Sequence, residues 1–213
     1  MSITAIIPAY NSEKTIANIV KRAVNYVDKV LVIDDGSIDN TADEASRAGA
    51  RVVVHSVNQG KAEAIRTGLR NSRGITVMLD SDLQHLPEEI PKVIAPIMDN
   101  GFDLSIGSRF LGNPEMMPLH RKTTNLLSTL AVKLRTNQNI TDVQSGFRAI
   151  GDKIRKLDLN SAKRYDIETV MLLRAIEQDC RIVEVPITTI YGKPSYFNNW
   201  TDGTRAVWAL LFK

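Results

Sequence analysis

With 213 residues, 43% of them apolar, the chain is long enough to bury a sizeable core and is not a disordered sequence. Its 27 Lys and Arg against 24 Asp and Glu leave a net charge of +3, a mildly basic balance that suits phosphate-rich ligands or an anionic membrane surface and singles out neither. One cysteine, Cys180, excludes an internal disulfide and reads as a small core residue, and no run reaches the ~18 apolar residues that span a bilayer.

Met1 to Thr4 has no basic flank and Pro8 interrupts the apolar run, which argues against a secretory signal and for a reducing, cytoplasmic setting. Ile3 to Ile7 reads as a strand, and Asn11 or Ser12 as the cap of a helix whose buried face carries Ile16, Ile19, Val20, Ala23 and Val24. Val30 to Ile33 is a second strand, closed by Asp34-Asp35-Gly36-Ser37. Asp39 or Asn40 caps the next helix, and Arg51 to Val54 is a third strand. Asn58-Gln59-Gly60-Lys61 leads into a helix through Ala64, Ile65 and Leu69. Gly74 opens the apolar strand Ile75 to Leu79, a helix spans Pro87 to Met98, and Asp103 to Ile106 is a further strand. This β-α alternation with near-continuous apolar strands predicts an α/β fold, a Rossmann-like, mostly parallel sheet with helices on both faces.

In such sheets ligands bind beyond the carboxyl ends of the strands. The polar clusters Tyr10-Asn11, Asp34-Asp35, Asp80-Asp82 and Ser108-Arg109 fall there. Side chains two apart at a strand end point the same way, so Asp80, Asp82 and Gln84 converge. Two close carboxylates repel unless a cation sits between them, and a hard ion such as Mg²⁺ or Mn²⁺ bridging a diphosphate fits. A solvated acidic turn capping the helix near Pro87 is the alternative.

Beyond residue 110, Leu111 to Met117 reads as a loop and Leu119 to Leu134 as a helix with Leu126, Leu127, Leu130 and Leu134 on one face. Asp142 to Arg148 is a polar loop and Ile167 to Ile176 a helix. Arg181 to Val185 is a strand that Thr188 to Tyr191 extends, and 192–195 is a turn. No linker or repeat interrupts the chain. It divides as one catalytic domain with halves 1–110 and 111–195, then an apolar segment, 196–213.

Ile7-Pro8-Ala9-Tyr10-Asn11, Ile33-Asp34-Asp35-Gly36-Ser37, Asp80-Ser81-Asp82-Leu83-Gln84-His85, Gly107-Ser108-Arg109 and Ser145-Gly146-Phe147-Arg148 occur in that order. Together they resemble the family 2 glycosyltransferases of GT-A fold, and most closely the dolichol-phosphate mannose synthase group, over residues 3 to 195. The resemblance implies that Pro8, Tyr10, Ser12, Ile33, Asp35 and Ser81 hold the nucleoside of a nucleotide sugar. Asp80, Asp82 and Gln84 would hold Mg²⁺ or Mn²⁺ on the diphosphate. Arg109, with a guanidinium suited to bidentate phosphate contact, and Arg121 would bind the acceptor phosphate. Lys193 is a third phosphate candidate. Asp142 would be the base for a hydroxyl acceptor, or would position Arg121 or Arg109 for a phosphate acceptor. Asp166 and Glu168 read as helix-start carboxylates, and His85 and His120 as uninvolved.

The implied reaction is inverting, metal-dependent transfer of a hexose, mannose from GDP-mannose being favoured, to a dolichol-type polyprenyl phosphate. A UDP-sugar donor, with the same lipid or a glycan hydroxyl as acceptor, is the alternative; a non-catalytic nucleotide-binding module is another. No nucleic-acid partner is implied. Trp200, Val207, Trp208, Leu210, Leu211 and Phe212 suit a peripheral contact with the cytoplasmic face of a membrane. Relatives carry Glu where this chain has Ser12, with Glu13 next, and Ala where it has Ser81.

Overall fold

The computed structural model describes residues 2–113, 117, 119–163 and 166–191, with the backbone alone for His120 and Arg121. The elements run β1 (Ile3–Ala9), α1 (Ile16–Ala23), β2 (Lys29–Asp34), α2 (Thr41–Arg47), β3 (Arg51–Val54), α3 (Lys61–Asn71) and β4 (Ile75–Met78). After a 3₁₀ turn at Pro87–Glu89 come α4 (Ile90–Asn100), β5 (Leu104–Ser108), α5 (Leu119–Thr136), β6 (Arg148–Ile150), α6 (Asp152–Arg155), α7 (Ile167–Glu177) and β7 (Ile182–Pro186).

These strands form one sheet in the order β3-β2-β1-β4-β6-β5-β7. All neighbours are parallel except β6, which is antiparallel to β4 and to β5. Alternate side chains feed opposite faces. Ile6, Leu31, Ile33, Met78 and Ile106 face a core built with α3, α7 and part of α5. Ile7, Val30, Val32, Ile75 and Val77 face a second core built with α1 and α4. Both faces are therefore covered, and the central strands read as continuous apolar runs for that reason.

The expected first five strands and their helices are present, with boundary shifts of a few residues. Three readings need correction. Val24 lies one residue past α1 and is exposed. Strand β6 was read as loop because it is only three residues long and opens on an arginine. The 188–191 segment does not extend β7: Ile190 donates its N–H to the Gln84 carbonyl and Thr189 bridges antiparallel to His85. In α5 the leucines share a face as read, and that face points outward. The helix instead buries Asn125, Ser128 and Val132, which also recur at helical spacing.

Helix α3 lies close on β1 because residue 68 is glycine. A Cβ there would come within 2.5 Å of the Ile6 Cγ2 and 2.9 Å of its Cδ1. Ile6 is fully buried and stiff at χ1, so it has nowhere to go. Gly68→Ala is expected to destabilise the fold by about 1–3 kcal/mol, despite alanine's better helix propensity, and urea denaturation reads this directly.

Candidate active site

The carboxyl ends of β1, β2, β4 and β5 deliver their polar residues to one crevice. At its first rim, Tyr10 is exposed and Pro8 half-buried. Ser12 does not cap α1, whose first turn begins at Ile16 with no side-chain cap. Its hydroxyl lies 3.0 Å from the Ser81 hydroxyl, its N–H donates to Thr41 Oγ1, and Thr15 Oγ1 donates to the Ser81 carbonyl. The loop after β1 is thus tied to the turn after β4.

Asp35 is buried and takes three partners. Its carboxylate accepts the N–H of Gln59 and of Gly60 at 2.9 and 2.7 Å and lies 2.7 Å from His55 Nδ1. Three of its roughly four acceptor positions are thus taken, and through them it also shapes the 57–60 loop. Ile33 lies wholly in the core, so any part it has in holding a nucleoside is through backbone alone. Gly36, at φ +73°, lets the β2 turn close on that loop: a Cβ would meet the Val57 carbonyl carbon at 2.6 Å.

Asp80 and Asp82 lie in the turn beyond β4, not on the strand, and Leu83 at φ 61° bends that turn back. Asp82 Oδ1 accepts the Gln84 N–H. Asp80 meets Lys61, whose ammonium lies 2.5 Å from Asp80 Oδ1 and 2.8 Å from Glu168 Oε1. Burial works against charge on Lys61, yet the two carboxylates outweigh it and raise its pKa above the ordinary lysine range. Burial likewise opposes the Asp80 carboxylate, but Lys61 holds it below the usual range. Gly146 abuts Asp80 so closely that a Cβ would lie 2.4 Å from Asp80 Oδ2. The oxygens of Asp80, Asp82 and Gln84 are hard donors, and one carboxylate already carries a cation in contact. The donor set therefore fits Mg²⁺ or Mn²⁺.

On the opposite rim, Asp142 is fully buried and grips Arg109 side-on. Oδ2 accepts Nε at 2.7 Å and the backbone N–H at 3.0 Å, while Oδ1 accepts Nη2 at 2.7 Å. Burial opposes the Arg109 charge, but Asp142 outweighs it and lifts the pKa further. Between the rims His85 packs on Phe147, with ring centroids 5.4 Å apart. Burial pulls its pKa down to about 4, so it is neutral near pH 7. Arg148, wholly buried, donates to the carbonyls of Val143, Ser145 and Glu168 and so fastens the 143–146 loop to α7.

A family-wide sequence model described as Glycosyl transferase family 2 matches residues 4–157, the whole of this crevice included except α7 and β7. The chain belongs to glycosyl transferase family 2. It is accordingly an enzyme, a glycosyltransferase of GT-A fold. Among its relatives, the UDP-N-acetylglucosamine–dolichyl-phosphate N-acetylglucosaminyltransferase of Methanococcus voltae is 35% identical over 91% of this chain and 87% of its own length. The undecaprenyl-phosphate mannosyltransferase of Micrococcus luteus is 32% identical over 89% of this chain and 84% of its own. Among solved structures, the glucosyl-3-phosphoglycerate synthase of Mycobacterium tuberculosis in complex with Mn²⁺, UDP-glucose and phosphoglyceric acid matches with a TM-score of 0.77 at 26% identity. That match covers 99% of this chain and 78% of the other. The relationship to polyprenyl-phosphate sugar transferases is therefore one of sequence.

In this family 2 glycosyltransferase Ser12 meets Ser81, Asp82 meets Gln84, Arg109 meets Asp142, and Asp80 lies within electrostatic reach of Arg109. Arg121 has its backbone in α5, while its side chain, Lys193 and the apolar segment 196–213 lie outside the described residues. Sequence reasoning missed Lys61; Glu168 stands in the first turn of α7 as read, and it also meets Lys61. One signal was present. Gly60-Lys61 opens a helix directly after a strand and loop, with Gly60 at φ +90°, an arrangement that aims N–H groups and an ammonium at an anion.

Proposed function

We propose that the enzyme transfers a sugar, with inversion, from a uridine diphosphate donor to a polyprenyl phosphate. The engagement of the crevice carboxylates carries this reading. Asp142 is held by Arg109, and Asp80 and Glu168 share Lys61, so these three carboxylates are committed to cations and unsuited to take a proton. A hydroxyl acceptor needs a base; a phosphate oxygen is already anionic near neutral pH. The nucleophile then brings its own charge, and the protein's task is to draw two anions together.

Asp80, Asp82 and Gln84 would hold the divalent ion, which when bound supplies charge neutralisation to the departing diphosphate. Lys61, beside Asp80, faces the same charge. Tyr10 offers a ring to the base, with Pro8, Ser12 and Ser81 lining the nucleoside side. Arg109, fixed by Asp142, and Arg121 would grip the acceptor phosphate, and Lys193 would assist. An acceptor oxygen attacks the anomeric carbon from the side opposite the diphosphate. The carbon–oxygen bond to that diphosphate breaks, and no proton moves.

Helix α5 supports a lipid acceptor. Leu119 and Leu134 are 75% and 78% exposed, with Leu126, Leu127 and Leu130 between them. The same helix carries Arg121, Lys122, Lys133 and Arg135 and no acidic residue. A leucine stripe beside basic side chains suits an anionic membrane surface and supports a peripheral contact there. Among the described residues no helix is long and apolar enough to cross a membrane.

The UDP donor draws support from the Methanococcus voltae relative and the Mn²⁺–UDP-glucose complex, both named for uridine nucleotides. GDP-mannose, favoured by motif resemblance, stands second, supported by the mannosyltransferase of Micrococcus luteus. The test is transfer of radiolabel from UDP-N-acetylglucosamine, UDP-glucose and GDP-mannose, each with Mn²⁺, to polyprenyl phosphate in mixed micelles, to dolichol without phosphate, or to 3-phosphoglycerate. Butanol-extractable label from a UDP-sugar, dependent on the lipid phosphate, is expected. Label only on the free alcohol or only on phosphoglycerate would overturn the acceptor, and label only from GDP-mannose the donor.

A further inference from the structure

Glu184 stands on β7, opposite Ile106 of β5, at the end of the sheet away from β1 and β2. It shares a strand face with Ile182, two positions away, which packs against the α5–α7 core. Its carboxylate takes three donors. Oε2 accepts the Thr141 N–H at 2.8 Å, and Oε1 accepts the Thr141 hydroxyl and the Asp142 N–H, each at 2.9 Å. Two consecutive backbone N–H groups clamped by one carboxylate fix the peptide plane between them.

Thr141 is pinned from two further sides. Its hydroxyl, donating to Glu184, lies 2.7 Å from the Ser108 hydroxyl at the end of β5, and its carbonyl accepts Asn125 Nδ2 at 2.7 Å from α5. The next side chain is Asp142. With the 141–142 peptide fixed, its carboxylate has one direction, toward Nε and Nη2 of Arg109. That edge of the guanidinium is consumed, and the Nη1 edge is left with no protein acceptor among the described residues.

We propose that Glu184 is a positioning residue for Arg109, setting the guanidinium plane that receives the acceptor phosphate. This rests on the acceptor reading above. A charge-assisted clamp on backbone N–H groups is among the stronger hydrogen-bonding arrangements. A guanidinium recognises phosphate only when its plane and edge are aimed, and an ångström of misplacement costs up to ~100-fold. The other contacts of Thr141 cannot replace the clamp, because neither restrains the Asp142 N–H.

The inference predicts an asymmetry. Glu184→Ala should raise the KM for the lipid phosphate by about tenfold or more and leave the KM for the nucleotide sugar within about twofold. Glu184→Gln keeps one acceptor oxygen and the shape of the side chain, but turns a donor toward a donor, so a smaller rise of about threefold is expected. A purely structural residue would move both constants together.

Arg109 can be read without turnover. In ¹⁵N-labelled wild type its Nε–H, bonded to Asp142, should exchange slowly with water. In Glu184→Gln that signal should broaden or exchange several-fold faster, while the thermal stabilisation by Mn²⁺ and UDP is unchanged. Failure of the acceptor reading would show as a wild type inert toward lipid phosphate, and the Arg109 signal would still report on Glu184. Unchanged Nε–H exchange in Glu184→Gln, or an equal rise in both KM values, would overturn the proposal.

Discussion

Gly146→Ala is expected to lower the affinity for Mn²⁺ with UDP by roughly 100-fold while the fold survives. The added Cβ would lie 2.4 Å from Asp80 Oδ2, 2.9 Å from its Cγ and 3.0 Å from Oδ1. An aspartate has a short stem, and this one is held on its other side by Lys61. It can yield only by moving its carboxylate, which displaces an oxygen donor of the proposed metal site. The backbone pays little, because φ at Gly146 is not in the left-handed region. Overpacking costs about 1–3 kcal/mol, so the melting temperature should fall by only a few degrees. Isothermal titration of Mn²⁺ in the presence of UDP measures the affinity, and a circular dichroism melt the fold. Undiminished affinity would mean that Asp80 does not hold the ion.

Lys61→Ala is expected to have the largest effect on stability. The substitution leaves Asp80 and Glu168, both on the crevice floor, without the cation they share. Breaking a buried pair by removing one partner costs about 3–5 kcal/mol, because the surviving charge stays desolvated. For a chain of this size that lowers the melting temperature by roughly 10 °C.

The pH dependence follows from the two shifts. Asp80 is held below the ordinary value of 3.8, so its contribution is present above about pH 4 and is lost as pH falls through the depressed value. Lys61 is raised above 10.5, so its contribution is complete below that pH and is lost only as pH rises through the higher folded value. The stability gap between variant and wild type should therefore be full near neutral pH and close as pH falls below about 4. Mn²⁺ should raise the variant's melting temperature more than that of wild type, since an ion then supplies the missing charge. A melting temperature within two degrees of wild type would refute the shared-cation arrangement.

The sheet was legible because its central strands are buried on both sides and therefore apolar at most positions. Strand β6 escaped because Arg148 opens it, and an arginine satisfied wholly by three carbonyls leaves no trace in hydropathy. In α5 the period was readable and the orientation was not. A helical repeat shows that leucines share a face, and only the packing shows that Asn125 and Ser128 are the buried ones.

The acidic pair was legible from its motif, though Asp80 and Asp82 lie in a turn where strand parity no longer governs them. What surrounds Asp80 was hidden, because Lys61, Gly146 and Glu168 come from a helix start, a loop and a second helix start far apart in the chain. Asp35 shows the converse. Its residue type suited base recognition, and nothing in the sequence showed that the backbone N–H groups of Gln59 and Gly60 also bond to it. The same logic separates Asp142 from a base: a carboxylate is judged by its neighbours, and here they are cations and N–H groups.

A crystal of the protein soaked with Mn²⁺ and UDP, read by anomalous scattering at the manganese edge, tests the central claim most directly. The account predicts one strong peak about 2.0–2.3 Å from oxygens of both Asp80 and Asp82, bridging to the diphosphate, with Lys61 moved from Asp80 toward phosphate. A manganese peak that touches neither aspartate, or a diphosphate bound outside the crevice, would contradict it.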